Sequence, residues 1–335
     1  MSGPASPASQ ARRPAPARHP RVGSAAALLA LAAAALLCPA QATAGGRDEA
    51  AARDEQEPPF SRGVVSLSTE GEGLREGGGG ASWREGSLSA RGSATLLRRV
   101  TLDAEGVRAW GLVGQAEARV FATDLAVVDG AARFVRLGAS LAAFHLSSSR
   151  NLYWLQVGAF TAEQAALLGD PQLHPQVVAL GTARASDTLT LRYGAAYTYD
   201  LGRGLPLPLL GLDWRWAPRW RLDLLLPVTA RVGWRASDRL TLGLGTGVTG
   251  DYFRYRAVDP SGARSEQALR IARLRLGAQA RYAGGPGTVF GLGLGVEGAS
   301  IDTGFSTEHA TGVYLQASIA FGGGAGLPAG APAAD

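Results

Sequence analysis

The chain has no lysine: all 33 of its basic residues are arginine. That excludes a P-loop, a Schiff-base lysine and a kinase-type phosphate clamp, each of which needs an ammonium group at a fixed place. Cysteine is nearly absent. The single one, Cys38, lies in an N-terminal apolar segment, so the chain beyond it can form no disulfide and no thiolate metal site. Beyond that segment the histidines are His145, His174 and His309, far apart in sequence, and no histidine-rich metal site is expected. Also missing is an apolar run of the ~20 residues that a spanning helix needs.

The N-terminus reads as a targeting segment. Arg12, Arg13, Arg18 and Arg21 precede an Ala/Leu run from Ala25 to Leu37, and small residues follow up to Ala44. That order is expected of a secretory signal peptide over residues 1–44. Leu37 stands where lipoprotein signals carry a small residue, so cleavage after Ala42 or Ala44 is expected rather than lipidation of Cys38. Four of the 33 arginines and none of the 28 acids fall in this segment. What remains is 29 against 28, a net charge of +1, which points to no basic nucleic-acid-binding face.

Residues 45–62 form a polar stretch ending near Pro58-Pro59, expected to be a flexible linker, and 322–335 a Gly/Pro/Ala-rich tail expected to be disordered. Between them, over 63–321, the text alternates. Leu189, Leu191, Tyr193, Ala195, Tyr197 and Tyr199 are spaced by two, as are Leu274 to Tyr282, Phe290 to Val296 and Val313 to Phe321. A period of two is a strand with one apolar face. Turn chemistry separates these runs, including two copies of RASD at 184–187 and 235–238, each followed by a strand reading xLTL. A short helix is expected at 161–168, where Thr161 and Gln164 have capping-box spacing.

The longest alternation is WRLDLLLPVTARVGW, Trp220 to Trp234, apolar at every even position. Read as one strand it extends roughly 46 Å, and a tilt of about 45° leaves roughly 33 Å of height. That matches a bilayer core of about 30 Å with a Trp at each interface. Pro227 is expected to mark a bulge or kink, since proline cannot donate to a ladder. Backbone groups in lipid must all be paired, which for strands requires a closed barrel. The fold expected is therefore all-β: a transmembrane antiparallel up-and-down barrel of about twelve strands, ten to fourteen allowed. The alternative weighed is a secreted soluble sandwich or barrel, which also alternates.

The run RASDTLTLRYGAAYTYD, then LPLPLLGLDWRW, WRLDLLLPVTARVGW and LGLGTGVTGDYFRY, residues 184–256, resembles an uncharacterised family of bacterial outer-membrane barrel proteins, a domain of unknown function. The resemblance implies fold and outer-membrane location only, and no functional residue is carried over. Barrel proteins commonly end on an aromatic residue of the last strand; here Phe321 is followed by a further tail.

On these readings Arg192, Arg221, Asp223, Arg231, Arg275 and Arg281 face the lumen. There they either line an anion-attracting pore or pair with acids such as Asp223 and Glu297 and plug it. Tyr193, Tyr199, Trp220, Trp234, Tyr282 and Phe321 are expected at the membrane interfaces. His145 and Ser147 share a strand face and form the one pair with catalytic flavour, resembling outer-membrane lipid hydrolases. No orienting third group is identifiable, so an enzyme is not expected. Gly293-Leu294-Gly295-Val296-Glu297-Gly298 fits a dinucleotide fingerprint by spacing but lies inside an alternating strand, with no helix to follow. The function expected is a narrow porin-like channel or transport accessory without cofactor, in the outer membrane of a Gram-negative bacterium. Its partners would be outer-membrane lipids and the assembly machinery. The other readings are a plugged structural or surface-interaction barrel and, more remotely, a lipid hydrolase.

Overall fold

The computed structural model describes residues 64–76, 82–103, 106–124, 133–258, 263–284 and 287–322. The segments expected to be a signal peptide (1–44) and a linker (45–62) lie outside these, as does the expected tail (322–335) except Gly322, which ends the last strand. Fourteen antiparallel strands follow one another in a closed barrel. They are β1 (Val64–Glu76), β2 (Ser82–Asp103), β3 (Gly106–Thr123), β4 (Arg133–Leu146), β5 (Leu152–Gln164), β6 (His174–Arg184) and β7 (Leu189–Thr198). The chain continues through β8 (Leu205–Ala217), β9 (Trp220–Leu226), β10 (Thr229–Arg235), β11 (Leu240–Val258), β12 (Arg264–Ala283), β13 (Thr288–Asp302) and β14 (Thr307–Gly322). Closure comes from β1 pairing with β14, Val64 opposite Gly322, so both ends of the barrel chain lie at one rim, here the lower rim. The sandwich alternative is thereby overturned.

The count exceeds twelve because Trp220 to Trp234 is not one strand. It is the hairpin β9–β10, with Leu225 paired to Thr229 and Trp220 to Trp234. Val228 N–H donates to the Leu225 carbonyl at 2.8 Å and closes the turn. Pro227 sits in that turn, where a missing N–H costs no ladder bond. The expected kink is thus a full reversal, and both Trp stand at the same rim.

The RASD repeats form matching turns. Ala185 N–H donates to the Leu189 carbonyl and Ala236 N–H to the Leu240 carbonyl, both at 2.9 Å. Ser186 Oγ accepts from Leu189 N–H and Ser237 Oγ from Leu240 N–H, both at 3.1 Å. The expected helix is reduced to a single 3-10 turn, Ala165–Leu167, with no side-chain cap; Thr161 and Gln164 belong to β5.

Outward-facing residues of the lower tier are apolar and exposed: Leu244, Leu276, Leu294, Val296, Val313 and Leu315 among them. Inward-facing ones are arginines, carboxylates, glutamines and serines, together with an apolar patch on β6, β8 and β9 that includes Leu180, Leu207, Leu209 and Leu225. This is the reverse of a soluble barrel. From Phe321 to Val313 is eight steps, roughly 26 Å along the strand and roughly 19 Å of height at a tilt of about 45°, near the apolar band of about 25 Å that outer-membrane barrels carry. Exposed aromatics ring the lower rim: Trp110, Tyr153, Tyr193, Trp214, Trp216, Trp220, Trp234, Tyr282, Phe290 and Phe321.

The upper tier inverts this polarity. Strands β6 to β10 stop short, and above them β11 meets β5 directly, Arg254 beside Glu163 in parallel. Arg256 N–H donates to Gln164 Oε1 at 2.9 Å across the same junction. The ring at this level has nine strands, β1–β5 and β11–β14. Its interior is a packed core of Phe121, Phe134, Phe160, Phe253, Tyr255, Leu269, Ile271 and Ile301. Phe121 and Phe253 stack at 5.2 Å, and Phe134 lies 4.9 Å from Phe253. Its outside is polar, with Arg270 bonded to Asp302 at 3.1 Å.

Candidate functional site

Beneath the packed head the lumen holds a cavity of about 730 Å³, within the usual range for small-molecule sites. Alternation supplies its walls, because every second residue of each strand points inward. One wall is apolar: Val178, Leu180, Leu207, Leu209 and Leu225 from β6, β8 and β9. The other is charged: Arg91, Arg119, Arg136, Arg192 and Arg221 with Glu117, Asp200 and Asp213.

Those arginines are matched by carboxylates. Arg136 bonds Glu117 at 2.8 Å and Asp200 at 2.9 Å. Arg119 bonds Asp251 at 2.5 Å, and Arg91 lies 3.6 Å from Glu117. Arg192 bonds Asp223 at 2.7 Å and Asp213 at 3.3 Å, and Arg221 also pairs with Asp213. Between the cavity and the head sits a buried layer. Arg273, 1% exposed at its side chain, donates to Glu72 at 3.0 Å, to Asp251 at 2.7 Å and to Glu85. Arg275 donates to Glu297 at 2.9 Å, to Glu70 at 2.5 Å and to Glu72. Charges buried this deeply persist only when paired.

Of the residues singled out in the sequence, Arg192, Arg221, Asp223 and Arg275 therefore stand in ion pairs inside the barrel. Arg231 lies opposite Asp223 in the β9–β10 register, and Arg281 sits on the inward face near the lower rim. Tyr193, Trp220, Trp234, Tyr282 and Phe321 are exposed toward the lower rim. Tyr199 lies apart from them, at the step between the tiers, 4.9 Å from His174 and 5.4 Å from Tyr252. Ser147 Oγ bonds Ser149 Oγ at 2.8 Å and accepts from Asn151 N–H at 3.1 Å, so it builds the β4–β5 turn. His145 stacks on Tyr153 with centroids 6.3 Å apart. Sequence reasoning missed Arg273, Glu72, Glu85 and Asp251, which come together from four strands and share no local signal.

The wall has a gap. β8 pairs with β9 only from Leu210 onward. β11 pairs with β10 up to Gly247, and one further bond, from Val248 N–H to the Val228 carbonyl at 2.8 Å, closes that corner. Arg215 N–H donates to the Thr188 carbonyl of the β7 ladder. Alternate residues therefore direct Leu207 and Leu209 to β7 and Pro206 and Pro208 toward the gap, where no ladder bond is lost. The LPLP stretch is thus the sequence of a free edge. Above the gap the β7–β8 turn rests on Gly250. A Cβ there would overlap the Ile271 carbonyl oxygen and stand 2.9 Å from Gly202 N and 3.0 Å from Asp200 O.

No protein-family model matches the chain, and no curated protein matches it. Solved structures similar to it include the deltaS2 mutant of the TodX monoaromatic hydrocarbon channel, at 10% identity and a TM-score of 0.37 over 78% of this chain and 89% of that one. The transport unit of the autotransporter AIDA-I from Escherichia coli is 10% identical, with a TM-score of 0.33 over 89% of this chain and 97% of that one. Pseudomonas aeruginosa OpdQ is 11% identical, with a TM-score of 0.33 over 78% of this chain and 98% of that one. The barrel itself is read from the hydrogen-bond register, not from these remote likenesses.

Proposed function

We propose that this chain is a bacterial outer-membrane barrel that takes a small solute into its lumen, a transport barrel without a freely conducting pore. The observation that carries the reading is the pairing of an apolar outer belt with a lumen whose cavity, one wall apolar and one charged, ends under a packed head. Lipid favours the first, and solute binding the second. The packed head and the ion-pair layer argue against a wide aqueous channel. They also favour a second reading, a structural barrel with no solute. A catalytic role for His145 and Ser147 is not part of either, because Ser147 is engaged in its turn.

The test is heat-modifiable gel mobility of the refolded chain, followed by planar-bilayer conductance. Heat-modifiable mobility with no discrete conductance steps is expected. Discrete steps from the native sequence would sink the closed head. Solubility without detergent and without heat modifiability would sink the membrane location.

A further inference from the structure

We infer that the gap between β8 and β11 is a lateral portal through which a small uncharged apolar molecule passes between the hydrocarbon of the membrane and the lumen. The inference rests on the membrane reading above and adds a solute class and a route. The opening is a triangle. Along the backbone its β8 side, Leu205 to Leu210, is roughly 17 Å long, its base, the three strand spacings from β8 to β11, is roughly 14 Å, and its β11 side, Val248 to Gly250, is roughly 7 Å, bounded by the Val248–Val228 bond below and the β7–β8 turn above. The tip of the β9–β10 hairpin forms the base, and the β7–β8 turn meets β11 at the apex.

The cavity runs into this triangle. Thr249 points inward on β11 and Val248 outward, yet both line it, as do Val228 at the hairpin tip and Leu201 of the turn above. The rim is apolar on both faces. Leu209 and Leu225 are buried on the lumen side, while Leu210, Leu226 and Leu274, 65%, 52% and 59% exposed, stand beside it on the outer belt. Lipid-facing leucines around the opening place it within the apolar band, so its outer mouth meets acyl chains, not water. A charged solute would have to leave water to reach it, at a cost that an apolar one does not face. The lumen arginines have carboxylate partners, so they offer an anion no strong reason to enter. From the portal the cavity continues down past Leu180, Leu152 and Val64 toward the lower rim, away from the head.

The test uses the full mature chain refolded into liposomes that carry a decane-length hydrocarbon with a diazirine group, photolysed and mapped by mass spectrometry. Leu209, Leu180 and Trp154 report the lumen; Leu244 and Leu294 report the belt. The expected result is labelling of both sets. In the double variant Val228→Trp, Val248→Trp, which fills the triangle, lumen labelling is lost while belt labelling and heat-modifiable mobility stay. Equal lumen labelling in both proteins would overturn the portal and leave the solute-binding lumen standing, with entry from the lower rim. A labelled belt with an unlabelled lumen in the native chain would overturn both portal and solute binding. An unlabelled belt would overturn the membrane reading itself.

Discussion

Trp220 and Trp234 are direct cross-strand partners, with ring centroids 6.3 Å apart. Fourteen steps of sequence separate them, and the hairpin brings them back to one rim. Single-tryptophan variants retaining either residue should be quenched by the same set of depth-labelled brominated lipids. Maximal quenching at two different depths would restore the single long strand.

That relationship shows why the sequence misled. Partners in the hairpin, such as Leu225 and Thr229, have the same parity, so the apolar phase runs through the turn unbroken. Alternation reports which face a residue takes, not which way the chain runs. Pro227 was the only local sign of reversal. The inverted polarity of the head was written more openly. In β11 the apolar residues are even up to Val248 and odd from Phe253 to Ala257, a phase change that marks where the core moves inside. Barrel class, lumen face and most rim aromatics were legible, because period two states them directly. Of the ion-pair layer, Arg275 and Glu297 were legible as lumen-facing partners; Arg273, Glu72, Glu85 and Asp251 were not, because they come from distant strands.

A second prediction concerns the belt. In the membrane reading proposed above, Leu294→Arg places a guanidinium against lipid and should cost about 2–4 kcal/mol if it sits near the midplane. Gln279→Arg, on the lumen face, should cost much less. Urea titration of both proteins in the same lipid measures the difference.

Arg273 provides a third. Replacing it with Met takes away the arginine that faces Glu85 and leaves Glu72 with Arg275 and Asp251 with Arg119, and breaking such a buried pair costs about 3–5 kcal/mol. The loss should change little between low and high salt, because the group is shielded from solvent. A loss that salt abolishes would mean the layer is wet.

The free edge gives a fourth. Pro208→Leu should leave folding unchanged, since position 208 directs no N–H into the β7 ladder. Leu209→Pro removes a ladder donor opposite Gly194 and should cost at least the ~1–3 kcal/mol of a buried group left unpaired. Equal effects of the two substitutions on urea midpoints would mean that β8 has a partner on its other side.

The head offers a fifth. Phe253→Ala, in contact with Phe121 and Phe134, should cost about 3–5 kcal/mol. Protection from hydrogen exchange should fall first at Phe121, Phe134 and their neighbours, with the lower tier of the same strands unaffected.

The five strands that stop below the head, β6 to β10, are consecutive in the chain, and the nine that reach it close on one another where β5 meets β11. Girth and closure are thus written in separate stretches of sequence. Deleting or duplicating a hairpin within the short run would change how wide the lower chamber is while the same nine strands still seal the top. Such a chain can change what fits inside it by editing one contiguous segment, without renegotiating the seal.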